Sequence, residues 1–202
     1  MFLPKGRSIW KNLKSFFVDV DRLLLFLKRE EFIGYINFTL AGGQSAIFLQ
    51  EGDAVAGIKE LNQERKTGPD ALKEILAQAR REDNESINVV ELPYKKVAMM
   101  EEAFGFGCHS IYKDLSSEFS SLKRVITKLE NDKFTGFIEI RFQKENKEAI
   151  LLLEQGKVKG IFADEIQVGL DKESDIALRL ITSKTVEEVE NSGASFDIFA
   201  RD

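Results

Sequence analysis

The chain is poor in the residues that form cross-links and metal sites. Its 202 residues include one cysteine, Cys108, and one histidine, His109. A single cysteine excludes an intramolecular disulfide and a multi-cysteine zinc site. A single histidine leaves at most one centre for a catalytic triad or a histidine-based metal site, and adjacent side chains usually diverge. No nucleophile with a nearby base, no metal-ligand spacing and no cofactor fingerprint is found, so we expect no enzyme, no metal site and no cofactor.

Long hydrophobic runs are also missing. The longest runs, such as residues 23–27, are far too short to span a bilayer. Lys11, Asn12 and Lys14 interrupt the N-terminal region, so no signal-peptide core is predicted there. The net charge of −5 argues against a general nucleic-acid binder. These features predict a cytoplasmic protein that binds no nucleic acid and has no stable membrane insertion.

One pattern is present twice. Residues 31–36 (Glu-Phe-Ile-Gly-Tyr-Ile) resemble residues 133–138 (Lys-Phe-Thr-Gly-Phe-Ile), with Phe32 matching Phe134. Further along, residues 46–52 resemble residues 150–156. Each copy of such a duplication is a supersecondary unit that buries its own or its neighbour's apolar face, so two tandem units are expected.

The apolar spacing within each copy predicts its elements. Apolar residues at helical spacing indicate helices, and runs of β-branched and aromatic residues between turn signals indicate strands. In the first copy we predict a helix at 19–29, meander strands at 34–40, 45–49 and 54–58, a second helix from Pro69-Asp70 and a closing strand at 87–92. In the second copy we predict a helix at 120–131, meander strands at 136–142, 149–153 and 158–162, a second helix from Asp171 or Ser174 and a closing strand at 195–200. The predicted fold is α+β: two tandem copies of a unit of helix, three-strand meander, helix and strand, with mainly antiparallel sheets.

The predicted domains are a basic amphipathic N-terminal segment (1–18), repeat unit 1 (19–93), an apolar linker or strap (94–118) and repeat unit 2 (119–202). The N-terminal segment has four basic residues and no acid. Because Ile9, Leu13 and Phe17 are four residues apart, we interpret it as a helix docked on the first sheet. The alternative is a helix that lies in a partner's groove or makes weak peripheral contact with an anionic membrane.

The linker contains more large apolar side chains than a solvated linker would, including Met99, Met100, Phe104 and Phe106. We favour a helix or strap packed across the two units. The alternative is a partner-binding surface, because Met and Phe make adaptable contacts. Together with Trp10, these four residues are the candidate partner-binding residues.

The motifs around the two copies resemble a known family. Residues 32–36, 47–56 and 71–72, with their counterparts 135–138, 153–158 and 177–178 and the closing residues 193–199, resemble the bacterial DUF4388 or PATAN-like domains. That resemblance implies a non-catalytic interaction module of bacterial signalling systems.

Two functions of different classes follow. The first is an adapter or scaffold that binds a protein partner, with a homodimer left open. The second is a sensor of a small molecule or nucleotide with a pocket between the repeats, lined by polar residues such as Asn37, Lys59, Arg141 or Asp164. An enzyme would require His109 to lie in a cleft beside a charged partner.

Overall fold

The computed structural model describes residues 1–202 except 2, 63, 82–85, 145–146, 164–165 and 170–174, and the side chains of 166–169 and 175–177 are not described either. Asp164, Asp171 and Ser174, which the sequence analysis considered, therefore lie outside the described residues. The described chain divides into two compact units, Leu3–Cys108 together with Met1, and His109–Asp202.

The first unit contains a six-stranded antiparallel sheet in the order β1-β6-β2-β3-β4-β5. Its elements are β1 (Arg7–Leu13), α1 (Val20–Arg29), β2 (Gly34–Leu40), β3 (Gly43–Gln50), β4 (Asp53–Leu61), β5 (Glu64–Thr67), α2 (Gly68–Ala79), β6 (Ser86–Glu91) and α3 (Tyr94–Phe104). A short 3-10 turn, Ser15–Phe17, joins β1 to α1.

The second unit repeats this arrangement with a sheet in the order β11-β10-β9-β8-β12-β7. Its elements are β7 (Cys108–Ser116), α4 (Leu122–Asn131), β8 (Gly136–Phe142), β9 (Glu148–Glu154), β10 (Lys157–Ala163), β11 (Ile166–Gly169), α5 (Asp175–Ser192) and β12 (Ala194–Arg201). The predicted α+β class with tandem antiparallel sheets is therefore confirmed.

Helix α1 forms where the sequence analysis expected it. The Asp19 side chain accepts a hydrogen bond from the Arg22 backbone N–H (3.0 Å), which satisfies one of the unpaired amides of the first turn. Val20 and Leu27 are buried on the face that packs against the sheet. The first core lies between this sheet face and helices α1 and α2: Val20, Leu27, Ile36, Phe38, Ile47, Leu49, Ile75, Ala79, Ile87 and Val89.

The glycine shared by the two repeated motifs allows close strand packing. A Cβ atom on Gly34 would lie 2.1 Å from the Val90 carbonyl oxygen, and one on Gly136 would lie 2.1 Å from the Phe199 carbonyl oxygen. Any side chain would therefore push β2 away from β6, or β8 away from β12. This backbone contact explains why both copies have glycine directly after the Phe-x motif.

The N-terminal segment is a strand, so the helix predicted there is wrong. Strand β1 pairs with β6, and its register shifts between Ser8 and Trp10 and again between Trp10 and Leu13. These irregularities bring Ile9, Trp10 and Leu13 against the first core. A strand with bulges loses its strict two-residue alternation, which is why the apolar spacing imitated a helix.

The range 94–118 contains two different elements. Helix α3 belongs to the first unit and packs on the sheet face opposite α1 and α2, against β2, β3 and β4. Strand β7 follows it and forms an edge of the second sheet. A helix is therefore present at 94–104, whereas its packing across the two units stays a prediction. The residues after Cys108 are part of the second repeat.

Candidate interaction surface

Three of the five candidate partner-binding residues are interior. Met99, Met100 and Phe104 are buried on α3, and the ring of Phe104 lies 6.1 Å from that of Phe48 between centroids. Because α3 closes the second face of the first sheet, these side chains offer no surface to a partner in the folded unit. Their proposed role as partner contacts is thus corrected to a packing role.

The other two candidates are more accessible. Phe106 lies beyond the end of α3 and is 41% exposed, and its carbonyl oxygen accepts a hydrogen bond from the Thr67 hydroxyl (2.6 Å). Trp10 is half-buried in β1, with its ring 5.8 Å from that of Phe26 on α1. The five residues therefore do not form one surface.

The duplication extends further toward the N-terminus than the sequence analysis recognised. Residues 8–13 (Ser-Ile-Trp-Lys-Asn-Leu) correspond to residues 110–115 (Ser-Ile-Tyr-Lys-Asp-Leu), at the same spacing as Phe32 and Phe134. Strands β1 and β7 are therefore equivalent elements, and each forms an edge of its sheet. This repeated hexapeptide was the signal that could have identified both strands.

The two equivalent edge strands differ in exposure. In β1, Ile9 and Trp10 are half-buried and pack against the first core. In β7, residues 109–114 are all exposed, and the apolar side chains Ile111 and Tyr112 are 41% and 46% exposed. Because side chains of a strand alternate between its faces, β7 presents uncovered side chains on both faces as well as an outer backbone edge.

A polar cluster connects β7 to the centre of the second sheet. One Arg141 guanidinium nitrogen donates to Asp197 Oδ2 (2.7 Å) and the other donates to Asp114 Oδ1 (3.0 Å). The backbone N–H of Asp114 donates to Asp197 Oδ1 (2.6 Å). Glu139 is buried and lies directly opposite Asp197 in the strand register. The hydrogen bond with Asp197 raises the pKa of Arg141, with smaller contributions from the charges of Asp197, Glu139 and Asp114.

The first unit has neutral residues at the same positions. Asn37 lies opposite Asn88 where the second unit has Glu139 opposite Asp197. Asn88 Oδ1 accepts a hydrogen bond from the Asn12 backbone N–H (2.8 Å). The polar centre is therefore common to both sheets, and only the second one is ionic. Arg141, Asp114 and Asp197 are bonded to one another, which is the arrangement of a structural cluster rather than of an open binding site.

His109 is found at the surface. Its Nδ1 atom lies 2.6 Å from Asp202 Oδ1, and both side chains are more than half exposed. The charged partner that an enzyme would need is thus present, and the pair lies exposed. Within the described part of the chain, no group of three or more His, Cys, Asp or Glu residues is placed to hold a metal ion.

The first unit has an open surface pocket of about 440 Å³ beside the turn between β2 and β3. It is lined by Thr39, Gly42, Gly43, Gln44, Glu60 and Asn62. Glu60, its charged residue, already receives hydrogen bonds from Arg65 (2.7 Å) and from the Met1 amino group (3.4 Å). Burial raises the pKa of Glu60, but the hydrogen bond and charge of Arg65, with the Met1 amino group, outweigh burial and lower it. The predicted pocket between the repeats is a different site and stays a prediction.

The fold and these surfaces define a duplicated α+β protein whose two units each have an edge strand of one repeated sequence. The chain belongs to the family described as "Uncharacterized protein conserved in archaea (DUF2226)", whose model matches residues 1–104 and 114–202. No curated protein and no solved structure matches the chain.

This family assignment corrects the resemblance to bacterial DUF4388 or PATAN-like domains and the bacterial setting that it implied. The motifs behind that resemblance are turn glycines and core apolar residues. Gly34 and Gly136, for example, are required by the packing of neighbouring strands. Such constraints arise in many antiparallel sheets and do not identify a family. None of the described helices is long and apolar enough to cross a membrane.

Proposed function

We propose that the protein is a non-enzymatic interaction module that binds an extended segment of another protein along the outer edge of β7. The observation that supports this proposal is the uncovered stretch 109–112 of a nine-residue edge strand. The partner segment would add a further strand to the second sheet, with main-chain hydrogen bonds supplying affinity. Ile111 and Tyr112 would contact its apolar side chains. The single cysteine supports a reducing compartment, so we place this activity in the cytoplasm.

The comparison between β1 and β7 favours β7 as the binding edge. Folded proteins protect their edge strands with bulges and charged side chains. Both strands have an exposed lysine, Lys11 in β1 and Lys113 in β7, and a left-handed residue directly after it, so the difference between them lies in their apolar side chains. Strand β7 exposes Ile111 and Tyr112 at the positions where β1 packs Ile9 and Trp10 on the core. The apolar side chains of the edge strand are therefore exposed in the second unit and half-buried in the first.

The proposal is tested with a photo-crosslinking amino acid at position 112 in the full chain, expressed in its own cells. The matched control carries the crosslinker at Ser183, which is exposed on α5, a helix that packs against β10 and β11 at the side of the sheet opposite to β7. We expect position 112 to crosslink to one defined segment of a partner protein and position 183 not to do so. Crosslinks from position 112 to a second copy of this chain would instead indicate a homodimer through the same edge.

Two proline variants then test whether the backbone of β7 is used. Because alternate N–H groups of an edge strand point outward, one of Ser110→Pro and Ile111→Pro removes an outward donor and the other removes a donor to the sheet. The variant that removes the outward donor should keep the stability of the wild type. Its affinity for the crosslinked segment should fall at least about tenfold, which is the equivalent of one or two hydrogen bonds. Full binding by both variants would overturn the strand-addition proposal.

A further inference from the structure

Two adjacent phenylalanines project from the first unit. Phe16 and Phe17 lie in the 3-10 turn Ser15–Phe17 between β1 and α1, and they are 75% and 82% exposed. Their rings meet edge to face, with centroids 5.3 Å apart and planes at 85°. The turn is held by a buried Ser15, whose carbonyl oxygen accepts from the Val18 backbone N–H (3.0 Å). The aromatic pair is therefore displayed on an ordered support.

The pair is specific to the first unit. The residues at the same positions in the second unit are Glu118 and Phe119, of which Phe119 is 88% exposed. One exposed aromatic side chain at this turn is common to both units, whereas two in succession occur only in the first. A function that needs the pair therefore belongs to the first unit alone, and Phe119 provides a natural comparison.

Positive charge accompanies the aromatic pair. Lys11 and Lys14 are exposed and make no ion pair with any described residue. The nearest acidic residues on α1 are already paired: Asp19 with Arg22 (3.2 Å) and Asp21 with Arg80 (2.9 Å). The acids that follow α1, at 30–31, lie at the other end of a ten-residue helix, about 15 Å along its axis. Among the described residues close to Phe16 and Phe17 in sequence, the charged side chains without an ion pair are therefore positive, although the whole chain is anionic.

We propose that this tip binds the surface of an anionic lipid bilayer. Phe16 and Phe17 enter the boundary between headgroups and acyl chains, and Lys11 and Lys14 contact lipid phosphates. Apolar side chains beside lysines are the combination that holds proteins at anionic membrane surfaces, since burial and electrostatic attraction add. A bilayer accepts a projecting pair of rings, whereas a protein partner would need a matching cavity. The location and the ligand differ from those of the β7 edge.

The test is flotation of the full-length protein with lipid vesicles. Vesicles of phosphatidylcholine containing about one third phosphatidylglycerol are compared with vesicles of phosphatidylcholine alone. We expect binding to the anionic vesicles that weakens as salt is raised, because exposed charges are screened. The fluorescence of Trp10, the only tryptophan, gives a second readout because its ring packs on Phe26 of α1, the helix that follows the tip.

Three variants separate the contributions. Phe16→Ser with Phe17→Ser should weaken partitioning at least about tenfold, through the loss of two buried rings. Lys11→Gln with Lys14→Gln should weaken it by about tenfold or more at low salt. The matched control, Phe119→Ser, removes an equally exposed phenylalanine from the second unit and should change partitioning less than about twofold.

Wild-type protein that does not float with anionic vesicles would overturn the proposal, and so would an equal loss of binding in Phe119→Ser. A third contrary result is also defined. If vesicle binding is absent throughout and a photo-crosslinker at position 17 captures a protein, the tip is a protein-docking surface. If no protein segment is found to bind at the β7 edge, the vesicle result is unaffected, because the two experiments use different residues and probes.

Discussion

Asn12 and Asp114 occupy the same place in the two units and make the same unusual contact. Each is a non-glycine residue in the left-handed region, with φ of 54° and 51°. The backbone N–H of Asn12 donates to the side chain of Asn88, and that of Asp114 donates to the side chain of Asp197. Asn and Asp tolerate this conformation better than other side chains. The contact ties each edge strand to the polar centre of its sheet.

This correspondence gives the polar cluster of the second unit a structural role. Replacing Arg141 by Met would leave Asp197, a buried carboxylate, without its guanidinium partner next to Glu139. We expect the free energy of unfolding to fall by about 2 kcal/mol, the scale of a hydrogen bond to a charged group. Urea denaturation of the full chain measures this change.

The control for that substitution is Lys128→Gln, which removes an exposed pair with Asp132 (2.8 Å) on the same unit. Surface pairs of this kind contribute less than about 0.5 kcal/mol. If Arg141→Met costs no more than the control, the cluster does not stabilise the sheet.

The packing of helix α3 predicts that two nearby phenylalanines contribute very differently to the free energy of unfolding. Phe104 is fully buried and Phe106 is 41% exposed. Phe104→Ala should lower the free energy of unfolding by about 3 to 4 kcal/mol, because it leaves a cavity against Phe48. Phe106→Ala should lower it by less than about 1 kcal/mol. Thermal and urea unfolding compare the two variants, and similar losses would contradict the packing described for α3.

The lowered pKa of Glu60 predicts that the free energy of unfolding falls slightly at acid pH. Its pKa in the folded protein is lower than the ordinary value of 4.5, since Arg65 and the Met1 amino group outweigh the effect of burial. A carboxylate with a lowered pKa stabilises the fold above pH 4.5, and this contribution is lost as pH falls through the lowered value. Because Glu60 is only half-buried, we expect no more than about 1 kcal/mol.

The measurement is the unfolding free energy of wild type and Glu60→Gln at pH 7 and at acid pH. The two should differ at neutral pH and converge in acid. Glu130→Gln changes an exposed carboxylate that has no ion pair with a described residue, so its difference from wild type should stay small throughout. A Glu60→Gln difference that does not shrink as the pH falls would rule out the electrostatic explanation.

The sequence predicted most of the elements that form by local patterning. Strands 34–40 and 136–142 were predicted with the bounds that β2 and β8 have, because both segments are rich in β-branched and aromatic residues and begin at a glycine. Helices α1 and α4 followed from four apolar residues at helical spacing. In these elements, local preference and burial agree, so the sequence pattern is unambiguous.

The candidate surface could not be predicted in the same way. Strand β1 has two register shifts, and its apolar residues imitated the spacing of a helix. The apolar content of 94–106 indicated burial, but which side chains were covered depended on contacts with a sheet whose strands are distant in sequence. The repeat of residues 8–13 at 110–115 was available in the sequence and would have identified β7 as an element of the second copy.

The most direct test of the account is hydrogen–deuterium exchange of the full chain with and without the partner segment captured by the crosslinker at position 112. The account predicts that the outward-pointing amides within residues 108–113 exchange rapidly in the free protein and are protected when the segment is bound, because a new strand pairs with their outer edge. Helix α4 of the same unit serves as the internal reference and should not change. Protection confined to α4 or to other elements, with none in β7, would contradict the account.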